Sequence, residues 1–447
     1  MKRWLILFSL LVIGCASEHM TGGKVYMQQQ NWDKAIEQFQ LEINENPNAD
    51  AYMWLGRAYA MKKDYLNASD AWEHAIELDS AYAFRDMEKD IGFYWGVYFN
   101  AGAMCFNEKE WDKAIERFKR AIELEPDSFS AHFYLAQAYL QGGEETLAES
   151  ILVEIVEHSP QTEWIAKAAE ILVNRYTKEK RWDEALSILK KWIAIDTSGD
   201  AHYFMGVIYA NKYNDTQDKE YADSAIVYFE ESLKLNPNNS DTYYNLGNLY
   251  AQLKQYDKAI EEFEKATELN PDDEEAWYLL AVMCIQAESY EKALDAISKA
   301  IEIHPNKAEY YTVRSGIYWR LNEKDASTQD MKRASYLEKV TTFPLQFTVP
   351  KDEADRAWGR AQSFIGRFSS MKLQTVTDYV IQTYNPPSGE AKFGYYITQT
   401  LADNEVQIVV ECITGDPSAE ADAATNAHIL AYYIKTGELP YPEMIMR

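Results

Sequence analysis

Apolar residues recur at helical spacing along most of the chain, and one pattern of apolar and polar positions returns every 34 residues. The segment Trp32–Phe39 returns almost unchanged as Trp111–Phe118. The alanines Ala225, Ala259 and Ala293 occupy one place in later copies and are 34 residues apart. The pattern predicts repeated pairs of short helices, each of which buries its apolar face only against its neighbours.

The copy over residues 240–273 shows why this spacing suits a helix pair. Gly247 lies in its first helix, and Ala259 and Ala266 lie in its second. Because these residues are small, the two backbones can approach closely while larger residues fill the space around them. Pro271 follows the second helix and ends it, since the residue before a proline disfavours helical geometry.

Alignment of the remaining segments predicts nine copies and a repeat domain over residues 15–341. The copies start near residues 16, 49, 95, 129, 166, 199, 240, 274 and 308. Two insertions interrupt the period, one of about twelve residues between Ala81 and Tyr94 and one of seven residues at Asn214–Glu220. The copies that start near 166 and 308 depart most, because Val173 and Ser315 replace a glycine or alanine.

These repeats resemble the tetratricopeptide repeat, whose antiparallel helix pairs stack into a superhelix with a concave groove. The resemblance implies that the fifth residue of each first helix faces the groove, where five of eight such residues are aromatic. The predicted partner-binding residues are the groove residues Met53, Phe99, Phe133, Tyr203, Tyr244 and Tyr278, together with Asn248, Trp319 and Arg320. Tyrosine is common at the groove position in repeats of every function, so an aromatic binding surface and plain repeat packing both fit the pattern. Trp319 and Arg320, in the ninth copy, could bind a partner or simply meet the following domain.

The last hundred residues depart from the repeat. Residues 342–350 contain two prolines and read as a linker, and residues 351–447 have the pattern α-β-β-β-α. Three segments rich in β-branched and aromatic residues, 373–384, 393–401 and 406–413, predict a three-stranded antiparallel sheet. The predicted fold class is therefore mainly α, a helical superhelix followed by a small α+β domain. That domain could bind a partner, self-associate or cap the open end of the superhelix.

The pattern of the first residues indicates a targeting segment. Lys2 and Arg3 precede an apolar run over residues 4–13, which is too short to span a bilayer. The run ends in Val12-Ile13-Gly14-Cys15, which resembles a bacterial lipobox. This resemblance implies a signal peptide over residues 1–14 and acyl chains on Cys15. Ala16 and Ser17 lack the aspartate associated with inner-membrane retention, which favours the outer membrane, facing the periplasm.

Charge and composition limit the classes of partner that this protein is expected to bind. The chain has 44 basic and 71 acidic residues, a net charge of −27, and 47% hydrophobic residues. Such an acidic surface repels phosphates, so we expect no nucleic-acid partner. The apolar content excludes a chain that is disordered as a whole.

Residues that could catalyse a reaction or bind a metal are scattered along the sequence. The sequence contains no HExxH, GxSxG or phosphate-loop motif, and its seven histidines lack metal-ligand spacing. Cys105 and Cys284 stand where repeats carry a packing residue, which predicts buried thiols. The favoured function is a lipid-anchored scaffold for protein partners in a bacterial envelope complex, with no catalytic, cofactor or metal site. The alternatives are an envelope enzyme whose catalytic unit is residues 351–437, and a cell-wall glycan binder that uses exposed aromatics.

Overall fold

The computed structural model describes residues 17–402 and 404–446. The chain forms two compact units, the first ending at Ile208 and the second beginning at Tyr209. The division falls inside one helix, so the repeat array contributes to both units. The predicted signal peptide and the lipidation residue Cys15 lie outside the described residues.

The first unit consists of helices joined by short turns, which make paired helices antiparallel. Its helices are α1 (Glu18–Gln28), α2 (Trp32–Glu45), α3 (Ala49–Met61), α4 (Tyr65–Met87), α5 (Ile91–Asn107), α6 (Trp111–Leu124), α7 (Phe129–Gln141), α8 (Glu145–His158), α9 (Thr162–Lys178) and α10 (Trp182–Ile193). Each helix packs mainly on its neighbours in sequence, as a stack of helix pairs requires. The helix α11 (Asp200–Thr216) contains the division between the units.

One turn geometry closes the first helix of nearly every pair. Its second residue has a positive φ, as at Gln30 (56°), Lys63 (62°) and Lys109 (62°). The next N–H then returns to a carbonyl of the helix just completed, as Asn31 does to Tyr26 at 2.9 Å. The motif satisfies carbonyls that the helix end leaves free. Apart from the turn after α7, which uses Gly143, these described turns adopt the left-handed conformation without glycine.

The predicted insertion between Ala81 and Tyr94 lengthens α4 instead of forming a loop. This helix bends at Asp79, where φ is −154° and ψ is 88°. The indole of Trp72 lies 4.5 Å from the ring of Tyr94 and 5.7 Å from the ring of Tyr98, measured between centroids. The insertion thus extends the apolar core of the first unit.

The second unit consists of further stacked helices and a sheet. Its further helices are α12 (Lys219–Leu235), α13 (Ser240–Gln252), α14 (Tyr256–Leu269), α15 (Glu274–Gln286), α16 (Tyr290–Ile303), α17 (Ala308–Arg320), α18 (Lys324–Thr341), α19 (Ala354–Phe368) and α20 (Glu420–Thr436). The predicted insertion at Asn214–Glu220 is largely absorbed by α11 and α12, which have 17 residues each. Within the described ranges, no helix combines the length and hydropathy needed to cross a bilayer.

The sheet has five strands, so the prediction of three was wrong. The strands are β1 (Gln346–Pro350), β2 (Leu373–Val376), β3 (Val380–Thr383), β4 (Phe393–Ala402) and β5 (Glu405–Thr414), and every pairing is antiparallel in the order β1-β5-β4-β3-β2. The predicted linker 342–350 contains β1, which pairs with β5. The predicted first strand, 373–384, divides into β2 and β3, because the chain turns between Val376 and Val380 and Thr377 hydrogen-bonds with Val380.

Two helices cover one face of this sheet. The predicted apolar faces are confirmed, since α19 buries Ala357, Phe364 and Ile365 and α20 buries Leu430 and Ile434. The C-terminal domain also packs on the last repeat, through α20. There the Tyr432 ring of α20 contacts the Tyr336 ring of α18, and Lys339 donates to the Tyr432 hydroxyl at 2.6 Å. This packing favours the cap among the three roles considered for the domain.

Glycines in the first helices are held against aromatic rings of the second helices. A Cβ added to Gly56 would lie 2.2 Å from Nε1 of Trp72, and one added to Gly247 would lie 3.0 Å from Cε1 of Phe263. Phe263 and Trp72 are fully buried. The close approach of two helices in a repeat therefore depends on the missing side chain.

We expect Gly247→Leu to lower the free energy of unfolding by about 1–3 kcal/mol, because the new side chain must push Phe263 aside. Gly316→Leu is the matched control in the same unit, since a Cβ there meets nothing within 4 Å. Thermal unfolding followed by circular dichroism measures both variants. Equal melting temperatures for the two would contradict this account of the helix contact.

Candidate functional site

The predicted groove position in α3 is not exposed. Met53 is 0% exposed and belongs to the apolar core of the first unit, together with Trp72 and Tyr98. Ala83 and Met87, from the lengthened part of α4, close the same cluster. The prediction that Met53 binds a partner was wrong, because the insertion covers a position that an ordinary repeat leaves open.

The groove positions in α5 and α7 differ from each other. Phe133 in α7 is only 7% exposed, and Trp164 of α9 lies 5.4 Å from its ring. The prediction for Phe133 was therefore also wrong, because the next first helix carries an aromatic residue that covers it. Phe99 in α5 is half-buried and stacks on Trp95 at 5.0 Å.

In α11, Tyr203 is half-buried beside Phe204, whose ring centroid lies 5.3 Å from its own. Together, Phe99 and Tyr203 keep part of their aromatic surface accessible in the first unit.

Two groove tyrosines of the second unit each lie beside a glutamate of the next first helix, one repeat apart. The Tyr278 hydroxyl donates to Oε1 of Glu309 at 2.5 Å, and Tyr244 lies near enough to Glu275 for that carboxylate to raise the pKa of the phenol. In each pair, the glutamate lies 31 residues after the tyrosine, on the next first helix. Asn248, which was also predicted to contact a partner, lies beside Tyr244. The Tyr278 ring is oriented by its bond to Glu309 before any partner arrives.

The environment keeps both phenols protonated near neutral pH. Burial, reinforced by the hydrogen bond to Glu309, raises the pKa of Tyr278 to about 12. Burial and the charge of Glu275 likewise raise the pKa of Tyr244 to about 12. Both tyrosines are half-buried, so each presents ring surface. The resulting surface offers aromatic faces beside carboxylates, which suits apolar and basic side chains.

We call these residues, Tyr244, Glu275, Tyr278 and Glu309, the tyrosine–glutamate surface. A charged cluster lies next to it. Lys307 contacts Glu274 at 3.0 Å, and its ammonium lies 5.2 Å from the ring centroid of Tyr310. The rings of Tyr310 and Tyr278 are stacked with centroids 5.2 Å apart. The cluster therefore packs against the tyrosine–glutamate surface through the stacked rings of Tyr310 and Tyr278.

His304 joins this cluster to the C-terminal domain. Its Nε2 lies 3.4 Å from the Asp422 carboxylate of α20, and its Nδ1 lies 3.0 Å from Glu274. The contact with Asp422, reinforced by the charge of Glu274, raises the pKa of His304 even though burial and Lys307 oppose it. Asn306 also donates to Asp422 at 2.7 Å.

The last two predicted residues lie near the end of α17. Trp319 is 62% exposed, with the Lys324 ammonium 5.7 Å from its ring centroid, and Arg320 is exposed. Trp319 follows Thr312 by seven residues, so the two share one face of the helix. An exposed indole of this size is a plausible anchor for a partner.

The sequence analysis missed the two glutamates. Glu275 and Glu309 occupy the second position of successive first helices, where a charged residue reads as part of a solvated face. The signal that could have found them is the constant spacing of 31 residues from a groove tyrosine. This spacing has meaning only when neighbouring repeats are placed side by side.

Other polar features of the described residues look structural. A cavity of about 520 Å³ between α4 and α6 is lined by charged residues, among which Arg120 pairs with Glu73 at 2.8 Å. Cys105 and Cys284 are buried as predicted, and burial raises the pKa of both thiols. Within residues 17–402 and 404–446, no cluster of three His, Cys, Asp or Glu side chains is placed to hold a metal ion.

The architecture defines a class, a protein built from tandem helix pairs. Family models identify the repeat itself: a "Tetratricopeptide repeat" model matches residues 20–83, a "TPR repeat" model matches residues 102–143, and the model of "Anaphase-promoting complex, cyclosome, subunit 3" matches residues 218–300. The chain therefore carries tetratricopeptide repeats, and the fold of its helical part is confirmed.

Curated relatives are distant and match only in part. The chain is 25% identical over 199 residues to "Protein O-mannosyl-transferase TMTC3" of Mus musculus, covering 41% of this chain and 20% of that protein. It is 23% identical over 281 residues to "TPR repeat-containing protein MJ1428" of Methanocaldococcus jannaschii, covering 53% of this chain and 48% of that protein. The chain thus spans less than half the length of either relative.

Solved structures share the repeat at low overall similarity. A tetratricopeptide repeat protein from Parabacteroides merdae is 17% identical with a TM-score of 0.38, covering 55% of this chain and 94% of that one. MamA from Desulfovibrio magneticus RS-1 is 26% identical with a TM-score of 0.35, covering 39% of this chain and 96% of that one.

The His304–Asp422 contact predicts a pH-dependent stability. Because the folded-state pKa of His304 is raised, its contribution is complete below the unfolded pKa of about 6.5 and disappears as pH rises through the folded value. We expect Asp422→Asn to lower the free energy of unfolding by about 1 kcal/mol more at pH 6 than at pH 8.5. Urea unfolding at the two pH values measures the difference.

The control for that prediction is Glu77→Gln, which removes the contact of Glu77 with the exposed His74 at 3.2 Å. We expect this variant to show no difference between the two pH values, because solvent screens an exposed pair. An equal effect of Asp422→Asn at both pH values would show that His304 does not carry the pH dependence.

Proposed function

We propose that this chain is a scaffold of a bacterial cell envelope, held at the outer membrane by lipid on Cys15, and that it binds protein partners through its tetratricopeptide repeats. The partners belong to an assembly, secretion or pilus type complex. The observation that supports the binding role is the tyrosine–glutamate surface, in which a groove tyrosine lies beside a glutamate of the next first helix in two successive repeats. Tetratricopeptide repeats support a scaffold role in general.

The chemistry of this surface describes the partner segment. The Tyr278 ring accepts an apolar side chain at little cost in side-chain entropy, because its orientation is already fixed by Glu309. The carboxylates of Glu275 and Glu309 favour a segment with lysine or arginine beside the apolar residue. A peptide that reaches both tyrosines must extend across two first helices, which suits an extended or helical segment.

The lipid anchor is proposed from the sequence pattern Val12-Ile13-Gly14-Cys15. Acyl chains hold a protein at a bilayer with roughly 0.8 kcal/mol for each buried CH₂ group. The net charge of −27 opposes anionic headgroups, so attachment by lipid explains membrane residence better than attachment by charge.

Cross-linking in living cells tests the binding surface. A photoreactive residue at Thr312, which is exposed on α17, should form an adduct with a defined partner identified by mass spectrometry. The double variant Tyr244→Ala/Tyr278→Ala should reduce the adduct about tenfold, as expected when two aromatic anchors are lost. A photoreactive residue at Lys332 on the second helix of that repeat, also exposed, is the control and should not capture the same partner.

Tyr379→Ala is the matched control for the tyrosine variant, because Tyr379 is 64% exposed but lies in the sheet domain. It should leave the adduct at Thr312 unchanged. If the double tyrosine variant forms the adduct as well as the unchanged chain does, this surface does not hold the partner.

The anchor has its own test. Cys15→Ala should leave the chain at precursor size or release it from membranes, because the acyl acceptor is gone. Membrane fractionation and gel mobility measure this outcome. Cys284→Ala removes a buried thiol of α15 and should leave fractionation unchanged. Membrane residence of the Cys15→Ala variant at mature size would refute lipidation.

A further inference from the structure

The fifth strand of the sheet is longer than the edge strand beside it. Pairing between β1 and β5 begins at Gln346, opposite Val409, and the last contact on this side is the Val410 N–H to the Leu345 carbonyl at 2.9 Å. Before Leu345 the chain leaves the sheet, and the Phe343 carbonyl accepts from Nδ1 of His428 instead. The end of β5, from Glu411 to Thr414, therefore has no described strand on this side.

The direction of the backbone groups at this end follows from the alternation of an antiparallel ladder. Val410 points its N–H to the β1 side, so Cys412 and Thr414 point theirs to the same side. The opposite strand agrees, because the Tyr395 N–H, across from Cys412, donates to Thr383 Oγ1 and thus faces away from β5. Cys412 and Thr414 accordingly present two N–H and two C=O groups along a free edge.

A groove follows this edge. Its volume is about 430 Å³, and β5 forms one wall while small residues of α20 form the other. Ala423 and Ala427 are buried at its floor, Ala424 is exposed at its rim, and Leu345 closes the end next to β1. Small side chains on the helix leave open space beside the backbone groups of Cys412 and Thr414. This combination is the arrangement that β-strand addition uses.

We propose that this groove is a second binding site, which takes an extended peptide of a partner protein as a sixth strand beside β5. The peptide continues the line of β1 and runs antiparallel to β5. Its backbone bonds to the N–H and C=O groups of Cys412 and Thr414. The side chain opposite Cys412 points inward, onto Ala423 and Ala427, so this residue is apolar.

The charges around the groove specify the neighbouring residues of the peptide. Side chains alternate along a strand, so the residues on either side of the inward one face Glu411 and Ile413 on the open face of the sheet. Glu411 and Glu420 are both exposed and line the groove. A lysine or arginine opposite Glu411 forms a favourable cross-strand pair. The peptide that fits therefore alternates basic and apolar residues.

This site is separate from the tyrosine–glutamate surface, since none of its residues belongs to a repeat. A scaffold with both sites contacts a partner by a repeat surface and by strand addition. The two sites are tested by different variants, so failure of one leaves the other standing.

The test measures binding of two nine-residue peptides to the full chain by fluorescence polarisation. One peptide alternates lysine and valine, and the other has glutamate in place of each lysine. We expect the lysine peptide to bind at least about tenfold more tightly. Glu411→Lys should reverse this preference, because it changes the sign of the charge opposite the peptide.

Ala424→Trp should weaken binding of the lysine peptide about tenfold or more, because the indole fills the groove at its rim. The matched control is Ala421→Trp, an exposed position on the same helix that does not line the groove. Hydrogen exchange on the unchanged chain is independent of any folding defect. The lysine peptide should slow exchange of the Cys412 and Thr414 amides while leaving the Val376 amide unaffected.

Three results would overturn the proposal: equal affinity for the two peptides, unchanged binding to Ala424→Trp, or no new protection at Cys412 and Thr414. Self-association is the other possible occupant of a free edge. A concentration-dependent dimer that Ala424→Trp abolishes, without peptide binding, would assign the edge to a second copy of the chain and reject a partner peptide.

Discussion

Four helix pairs of this protein depend on one steric relation, the contact between a glycine of the first helix and a large ring of the second. Gly23 faces Phe39, Gly56 faces Trp72, Gly102 faces Phe118 and Gly247 faces Phe263, and in each pair an added Cβ would lie 3.0 Å or less from the ring. The ring fills the space that the missing side chain leaves, so the helices lie close and their axes are held. Since each pair also packs on the next, this local fit is propagated along the stack.

The fixed spacing has a consequence for polar contacts. When successive first helices are held at a constant offset, a side chain that reaches its neighbour in one repeat reaches the equivalent neighbour in the next. The neighbours Tyr244–Glu275 and Tyr278–Glu309 are two such equivalent pairs. The hydroxyl contact of Tyr278 is modest in energy, but it orients that ring beside Glu309. An ordered surface thus follows from the constant spacing of successive repeats.

The repeat fold was predictable because its sequence pattern is local and recurs in several repeats. Phe263 and Pro271 recur 34 residues earlier as Phe229 and Pro237, so an irregular position in one copy is outweighed by the others. The exposed state of a groove residue was less predictable. Met53 and Phe133 occupy the expected place in their helices, yet Met87 and Trp164 bury them. Both covering residues come from outside the repeat that they affect. The position of a residue within its repeat therefore does not predict that it is covered.

The sheet shows the same limit in a stronger form. Strand β1 has the sequence Gln-Phe-Thr-Val-Pro, ends in proline and follows a long helix, so its local pattern is that of a linker. It becomes a strand because β5 offers a ladder partner far along the chain, and proline is tolerated there because β1 is an edge. The same dependence on a distant partner explains the free end of β5. The Phe343 carbonyl is engaged by His428, which keeps the chain from continuing the ladder, and the unpaired groups of Cys412 and Thr414 are the direct result.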